Sequence, residues 1–372
     1  MGAPCAPCNT STVLAAVPIF YIARAANPAV ELRFRRAGAC GRIEHVPALM
    51  AQDVFPAGTQ SPVQFRASWP QLDGCVDGFR FGVRRWPLPQ HSVESCPPPN
   101  LAELGILLSH LRAMAVAHRR VSAAAPDARP RAVLIVEEDV DLRLVRRWLS
   151  ATGSSQTVGA PLTRALGGLD AVVAALPAGW GLAQLALIST ARHFARLRAR
   201  LAAGERVVPH AQLVGERDGR NEGWSTAAYA ASPAGLRAML EAYWPGGEAG
   251  ARERGGAHAA PDGVLELSAK PCVRADYLLY DGHATPTHVS TQPLFLFGAG
   301  SASRGSRREA KRVSGVQLQS IKHILTLFYG FSLDETRRVI VDNAPRGAPV
   351  RREGGKRRKR SQTGQREEEA DK

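Results

Sequence analysis

Cysteine is scarce, with six in 372 residues at Cys5, Cys8, Cys40, Cys75, Cys96 and Cys272. Spread so thinly, they imply no disulfide framework. The Cys5-Ala-Pro-Cys8 spacing lies in a proline-rich end with no βαβ context and no second such pair, which argues against a metal or redox site there. The one apolar run near the N-terminus, Val13–Ala23, is too short to span a bilayer and has no basic segment before it. A G-x-x-x-x-G-K-[ST] loop is also missing, which sets aside a P-loop phosphotransferase. These absences lead to the expectation of a soluble, cytoplasmic protein with no transmembrane segment, or of one from the secretory pathway should the N-terminus be incomplete.

What is present is enough for a substantial core, at 45% hydrophobic residues over this length. The net charge of +15 first suggests a polyanionic partner. Its distribution argues otherwise: Ser301 to Lys372 holds 18 basic and 9 acidic residues, so +9 of the total belongs to the last fifth of the chain. Nucleic acid is therefore expected as a partner only through this basic tail.

The chain is organised around Arg131-Ala-Val-Leu-Ile-Val-Glu137-Glu138-Asp139-Val140-Asp141, an apolar run that ends in four carboxylates. Without alternation, Val133–Val136 reads as a strand buried on both faces. Ligands of open α/β sheets sit beyond the carboxyl ends of such strands. Carboxylates this close disfavour one another unless a cation or a hydrogen-bonding shell compensates them. Glu137-x-Asp139 and Asp139-x-Asp141 both have the spacing with which a hard cation, Mn2+ or Mg2+, can be held on a substrate diphosphate. The other reading is a solvated strand end leading into a helix over Leu142–Leu149, its acids favourable at the positive helix end.

Around this stretch the pattern predicts a first strand at Val17–Ala23, a helix through Glu31–Arg36 and a second strand at Ile43–Pro47. Phe55–Pro99 reads as loop and short strand. Asn100-Leu-Ala-Glu103 has the form of a capping signal for a helix to about Val121. Later come a buried strand at Leu182–Ile188, an arginine-rich solvated helix at Ala191–Ala203 and a strand at Trp224–Ser232. Ser232-Pro233 then caps a helix to Tyr243. Gly246–Gly263 reads as an insertion, and Ala275–Tyr280 and Pro286–Phe295 have strand-like composition. Beyond a basic linker at Ser301–Arg312, amphipathic helices are expected near Val316–Phe328 and Leu333–Val341. The expected domains are thus a disordered N-terminus over 1–12, a catalytic domain over 13–300, a linker and helical extension over 301–345, and a disordered charged tail over 346–372.

Five segments, in order, resemble glycosyltransferase family 25, which includes lipooligosaccharide and collagen galactosyltransferases. Glu103-Leu-Gly-Ile-Leu-Leu-Ser109-His110-Leu-Arg112-Ala-Met resembles E-[IL]-G-C-x-x-S-H-x-x-x-[WM]. Val133-Leu-Ile-Val-Glu137-Glu138-Asp139-Val140 resembles the strand ending in E-D-D-[VI]. Leu176-Pro-Ala-Gly-Trp180 resembles L-P-x-x-W, and Trp224-Ser-Thr-Ala-Ala-Tyr229-Ala-Ala-Ser232-Pro-Ala-Gly235 resembles G-T-x-[AG]-Y-[VL]-[VI]-S-x-x-G. Ala275-Asp276-Tyr-Leu-Leu resembles P-x-D-x-x-L. The resemblance spans Val17 to Phe297 and leaves the tail outside.

It implies an α/β fold that is GT-A-like, a Rossmann-type sheet binding a nucleotide-sugar. The implied activity moves a hexose, galactose first, from a UDP-sugar to a hydroxyl of a glycan, lipid-linked saccharide or protein, with inversion. Glu137 and Asp139 would take the Mn2+ (or Mg2+), and Asp139 and Asp276 would carry the catalysis, Asp276 as second metal ligand or general base. Glu138, Ser109, His110, Arg112, Trp224 and Tyr229 would line or buttress the substrate. Three positions differ: Glu138 replaces an Asp, Ile106 replaces a Cys, and Ala23-Arg-Ala-Ala-Asn27-Pro28 replaces an Asn-Leu-[DR]-R-like turn at the nucleotide. The last difference motivates an alternative, a weakened or inactive protein of the same fold that binds polyanions through its basic tail.

Overall fold

The computed structural model describes residues 17–50, 72–76, 79–84, 101–145, 168–213, 223–243, 264–266, 275–280, 284–297 and 307–343. The expectations for 1–12, Gly246–Gly263 and 346–372 lie outside the described residues. So does most of the expected helix after Asp141, of which 143–145 is helical.

In chain order the elements begin with β1 (Ile19–Ala23), α1 (Pro28–Arg36) and β2 (Ile43–Pro47), followed by β3 (Leu72–Val76) and β4 (Phe79–Arg84). Next come α2 (Leu101–Ser122), β5 (Val133–Glu137), α3 (Gly168–Ala175), β6 (Leu182–Gln184), β7 (Ile188–Ser189), α4 (Ala191–Ala202) and β8 (Val207–Pro209). The chain continues through β9 (Gly223–Trp224), β10 (Ala228–Ala231), α5 (Pro233–Tyr243), β11 (Val264–Glu266), α6 (Ala275–Tyr280) and β12 (Thr287–Ser290). It closes with α7 (Arg307–Tyr329) and α8 (Leu333–Asn343).

Seven strands form one sheet in the order β2-β1-β5-β10-β6-β12-β8. β1 is parallel to both β2 and β5, β12 is parallel to β6, and β10 is inserted antiparallel between β5 and β6. The result is a mixed α/β fold with a mostly parallel sheet. Alternation explains why both faces are covered: Leu134 and Val136 enter one apolar cluster, while Val133 and Ile135 enter the other with Phe20, Leu111 and Met114. A residue period of two sends successive side chains to opposite faces, so β5 must be apolar throughout.

α7 belongs to the first of these clusters. Ile321, Ile324, Leu325 and Phe328 are buried at helical spacing against the sheet side that holds Phe194 and Leu197. Two serines fasten it: the Ser189 N–H donates to Ser320 Oγ at 3.0 Å, and Ser320 Oγ donates back to the Ser189 carbonyl at 2.9 Å.

Several expected elements differ. Leu182–Ile188 is two strands rather than one, because the Leu185 and Ala186 N–H groups turn together onto the Ala228 carbonyl. The expected strand at Trp224–Ser232 is likewise broken, at Ser225 with φ 140°. Ala275–Tyr280 is a helix instead of a strand. Ala275, Leu278 and Leu279 are buried at positions i, i+3 and i+4, and Asp276 sits in the first turn, where the helix dipole favours an acid. α7 starts at Arg307, inside the expected linker. Cys40 is disulfide-bonded.

Candidate functional site

The turn between β1 and α1 and the acids after β5 lie side by side, because β1 and β5 are parallel neighbours while the chain leaves β1 toward β2 on its other side. This is a topological switch point, where open α/β sheets bind ligands. The acid loop is fixed to α1 by Arg33, whose Nη2 donates to the Glu138 carbonyl at 2.9 Å and Nη1 to the Val140 carbonyl at 3.5 Å.

The start of α1 offers little to a phosphate. Pro28 has no N–H, Asn27 Oδ1 accepts from the Ala29 N–H at 3.0 Å, and the Val30 N–H bonds the Asn27 carbonyl at 2.9 Å. Asn27 itself is held by Tyr21, whose hydroxyl accepts the Asn27 N–H at 3.1 Å and donates to Glu31 at 3.2 Å. An anion arriving here would find the helix donors already satisfied.

Glu137, the last residue of β5, is the centre of the site. Its Oε1 accepts from Thr226 Oγ1 at 2.5 Å and lies 3.4 Å from His110 Nε2, and its side chain is 26% exposed. His110 is buried on α2, and its Nδ1 is 3.1 Å from the Tyr229 hydroxyl. A carboxylate only accepts, so Nε2 carries the proton that faces Glu137. Burial alone would raise the Glu137 pKa. The bond and charge of His110 and the Thr226 hydroxyl outweigh it, so the carboxyl lies below its ordinary value. The Tyr229 phenol is pushed well up by burial and by Glu137, so it remains a donor.

The neighbouring turn, Ser225-Thr226-Ala227, is held from three directions. Asp276 Oδ1 accepts the Ser225 N–H at 2.9 Å, while the Ser225 carbonyl accepts from Gln184 Nε2 at 3.0 Å and from the Tyr280 hydroxyl at 3.2 Å. Gln184 Oε1 is in turn 2.9 Å from His210 Nε2, and His210 stacks on Tyr280 with centroids 4.8 Å apart. Ser225 needs this support because φ 140° is a conformation that L side chains rarely adopt. Relieving it costs only the bond from the Ala227 N–H to Ser225 Oγ, at 3.2 Å. Ser225→Gly is therefore expected to raise Tm by about 1–3 °C, and Ser225→Ala, which keeps the strain and loses the bond, to lower it. A thermal-melt series on the two variants checks the order.

The sequence-predicted residues fall into distinct places. Glu137, His110, Tyr229 and Asp276 come together through the contacts above. His110 and Tyr229 are fully buried behind Glu137 with their polar atoms turned to it and to each other, so they position it and do not reach a substrate surface. Ser109 and Arg112 are also buried: Ser109 Oγ accepts the Leu49 N–H at 2.8 Å and Arg112 Nη1 donates to the Pro47 carbonyl at 3.2 Å. They clamp the segment after β2. Trp224 is half-buried against the first apolar cluster. Glu138 is exposed, and both carboxylate oxygens of Asp139 lie below the surface. Asp141 accepts from the Arg143 N–H at 2.8 Å and pairs with the Arg143 guanidinium at 2.8 Å, the capping role of the second reading. Sequence reasoning missed Thr226, Gln184, His210 and Tyr280. The signal for Gln184 was its place as the one amide in an otherwise apolar strand, and that for Thr226 its match to the Thr of the G-T-x-[AG]-Y pattern; His210 and Tyr280 gave none.

As to a metal, no cluster of three or more His, Cys, Asp or Glu side chains suited to hold one is found among the described residues. The donor set at the end of β5 is two carboxylates, one of them held ionised, which suits a hard cation shared with a diphosphate and not one enclosed by protein alone. No helix among the described residues is long and apolar enough to cross a membrane. No family model, no curated protein and no solved structure matches the chain.

Proposed function

We propose that the chain is a metal-dependent glycosyltransferase of GT-A-like fold, moving a hexose, galactose first, from a UDP-sugar to a hydroxyl acceptor. The observation that carries this reading is that all five segments resembling family 25, spread from Glu103 to Leu279, are joined by hydrogen bonds. His110 reaches Glu137 and Tyr229, Thr226 reaches Glu137, Asp276 reaches Ser225, and Ser232 Oγ donates to the Trp180 carbonyl at 2.7 Å. The pattern's two glycines have physical counterparts. Ser225 stands where it has the first and adopts a glycine-like φ; Gly235 stands at the second, where a Cβ would lie 2.4 Å from the Gly181 carbonyl oxygen.

In this reading Glu137 and Asp139 hold Mn2+ (or Mg2+), which when bound supplies charge for the leaving diphosphate. Thr226 and His110 keep Glu137 charged and aimed. Asp276 fixes the Ser225 turn; a base role for it requires its other oxygen. The Cys40 disulfide favours the secretory pathway over the cytoplasm.

One observation favours the weakened or inactive alternative. Asn27, in the turn that differs from the family's nucleotide turn, is spent on capping α1. Titration calorimetry with UDP-galactose and UDP-glucose, with and without Mn2+, separates the two. Binding that needs Mn2+ supports the enzyme, and absence of binding by either donor supports the alternative.

A further inference from the structure

A cavity of about 190 Å³ opens on the α2 and α5 side of the sheet, away from the acids. Ala231 at the end of β10 pairs with Val133 at the start of β5, so α5 begins at the opposite edge of the sheet from Glu137. Along α2, His118 is eight residues past His110, roughly 12 Å of helix rise. The cavity is therefore a separate site.

Its lining has one sign of charge. His118 and Ser122 come from α2, Arg129 from the turn after it and Arg237 from α5, with Val121 and Pro233 as apolar floor and no carboxylate among the lining residues. Arg129 is anchored by its Nε bond to the Ala124 carbonyl at 3.3 Å. Arg237 lies 3.7 Å from Glu241, a pair in which both side chains are more than half exposed and which is worth little. The helix end adds nothing decisive, since Pro233 lacks an N–H and Ser232 Oγ accepts the Gly235 N–H at 2.9 Å. Attraction comes from the side chains. Guanidinium groups match the oxygens of a phosphate bidentately, and an apolar floor beside them suits a compact organic group.

We infer that this cavity binds a small phosphate monoester, its phosphate between Arg129 and Arg237 and its organic part on Val121 and Pro233. The probe is phenyl phosphate, titrated into the full chain in low-salt, metal-free buffer beside inorganic phosphate. Saturable binding is expected with Kd of about 1 mM or tighter. It should weaken at least about tenfold in Arg129→Gln/Arg237→Gln, a double variant whose unchanged Tm shows an intact fold. Binding should persist in Asp139→Asn, which places it away from the acids. The single Arg237→Gln, on an exposed side chain, serves if the double variant does not fold. No saturable binding to the wild type, equal binding by the arginine variants, or loss in Asp139→Asn overturns the site. Inorganic phosphate binding as tightly as the ester overturns the organic part.

Discussion

Glu137→Gln is expected to lower Mn2+-dependent sugar transfer at least about a hundredfold while leaving the fold intact. The amide keeps an oxygen where Oε1 stands, so the Thr226 hydroxyl at 2.5 Å and His110 Nε2 at 3.4 Å retain an acceptor. What disappears is the charge and with it one oxygen ligand for the metal. Thr226→Val makes the complementary change. It leaves the carboxylate and removes one of the two donors that aim it, so a smaller loss of about three- to tenfold is expected, the cost of one hydrogen bond. Steady-state rates at saturating Mn2+, with thermal melts of both variants, check the order. If Glu137→Gln unfolded the chain, the carboxylate would be holding structure and not metal.

The second large effect is on stability in acid. Burial, with His193 and His288 nearby, lowers the His210 pKa from 6.5 to about 3. The folded state thus keeps the ring neutral while the unfolded chain takes up a proton at the ordinary value. The stabilisation is complete above pH 6.5 and is lost as the pH falls toward the folded value. Between pH 6.5 and 4 it amounts to roughly 3 kcal/mol. Glu137, held below its ordinary pKa, acts in the same direction: its contribution is present above the ordinary carboxylate value and fades below it. Denaturant melts from pH 7 to 4 should show stability falling steadily, and His210→Gln should flatten that slope whatever it does to stability at pH 7. An unchanged slope in the variant would remove His210 from the account.

What the sequence made legible follows from the range of each interaction. β5 at Val133–Glu137 stands where an apolar run bounded by polar residues predicts it, β2 occupies its expected range Ile43–Pro47, and Ser232 caps α5 as its place before Pro233 implies. These are local signals. The short α6 was misread because six residues, Ala-Asp-Tyr-Leu-Leu-Tyr, hold too few turns for periodicity to separate a helix from a strand. The break in the strand at Ser225 was invisible because its cause is distant: Asp276, Gln184 and Tyr280 hold the turn from 51, 41 and 55 residues away. At the site, Glu137 was readable from the acid cluster. That its charge depends on Thr226 and His110 required the antiparallel insertion of β10 beside β5, which no single segment encodes.

The central claim is that the acids after β5 hold a metal on a sugar nucleotide. The most direct test is UDP-galactose hydrolysis with and without Mn2+, on the wild type beside Asp139→Ala. Turnover that needs Mn2+ and is lost in the variant is the predicted result. Turnover unaffected by either change, or none in the wild type with no donor bound, would contradict it.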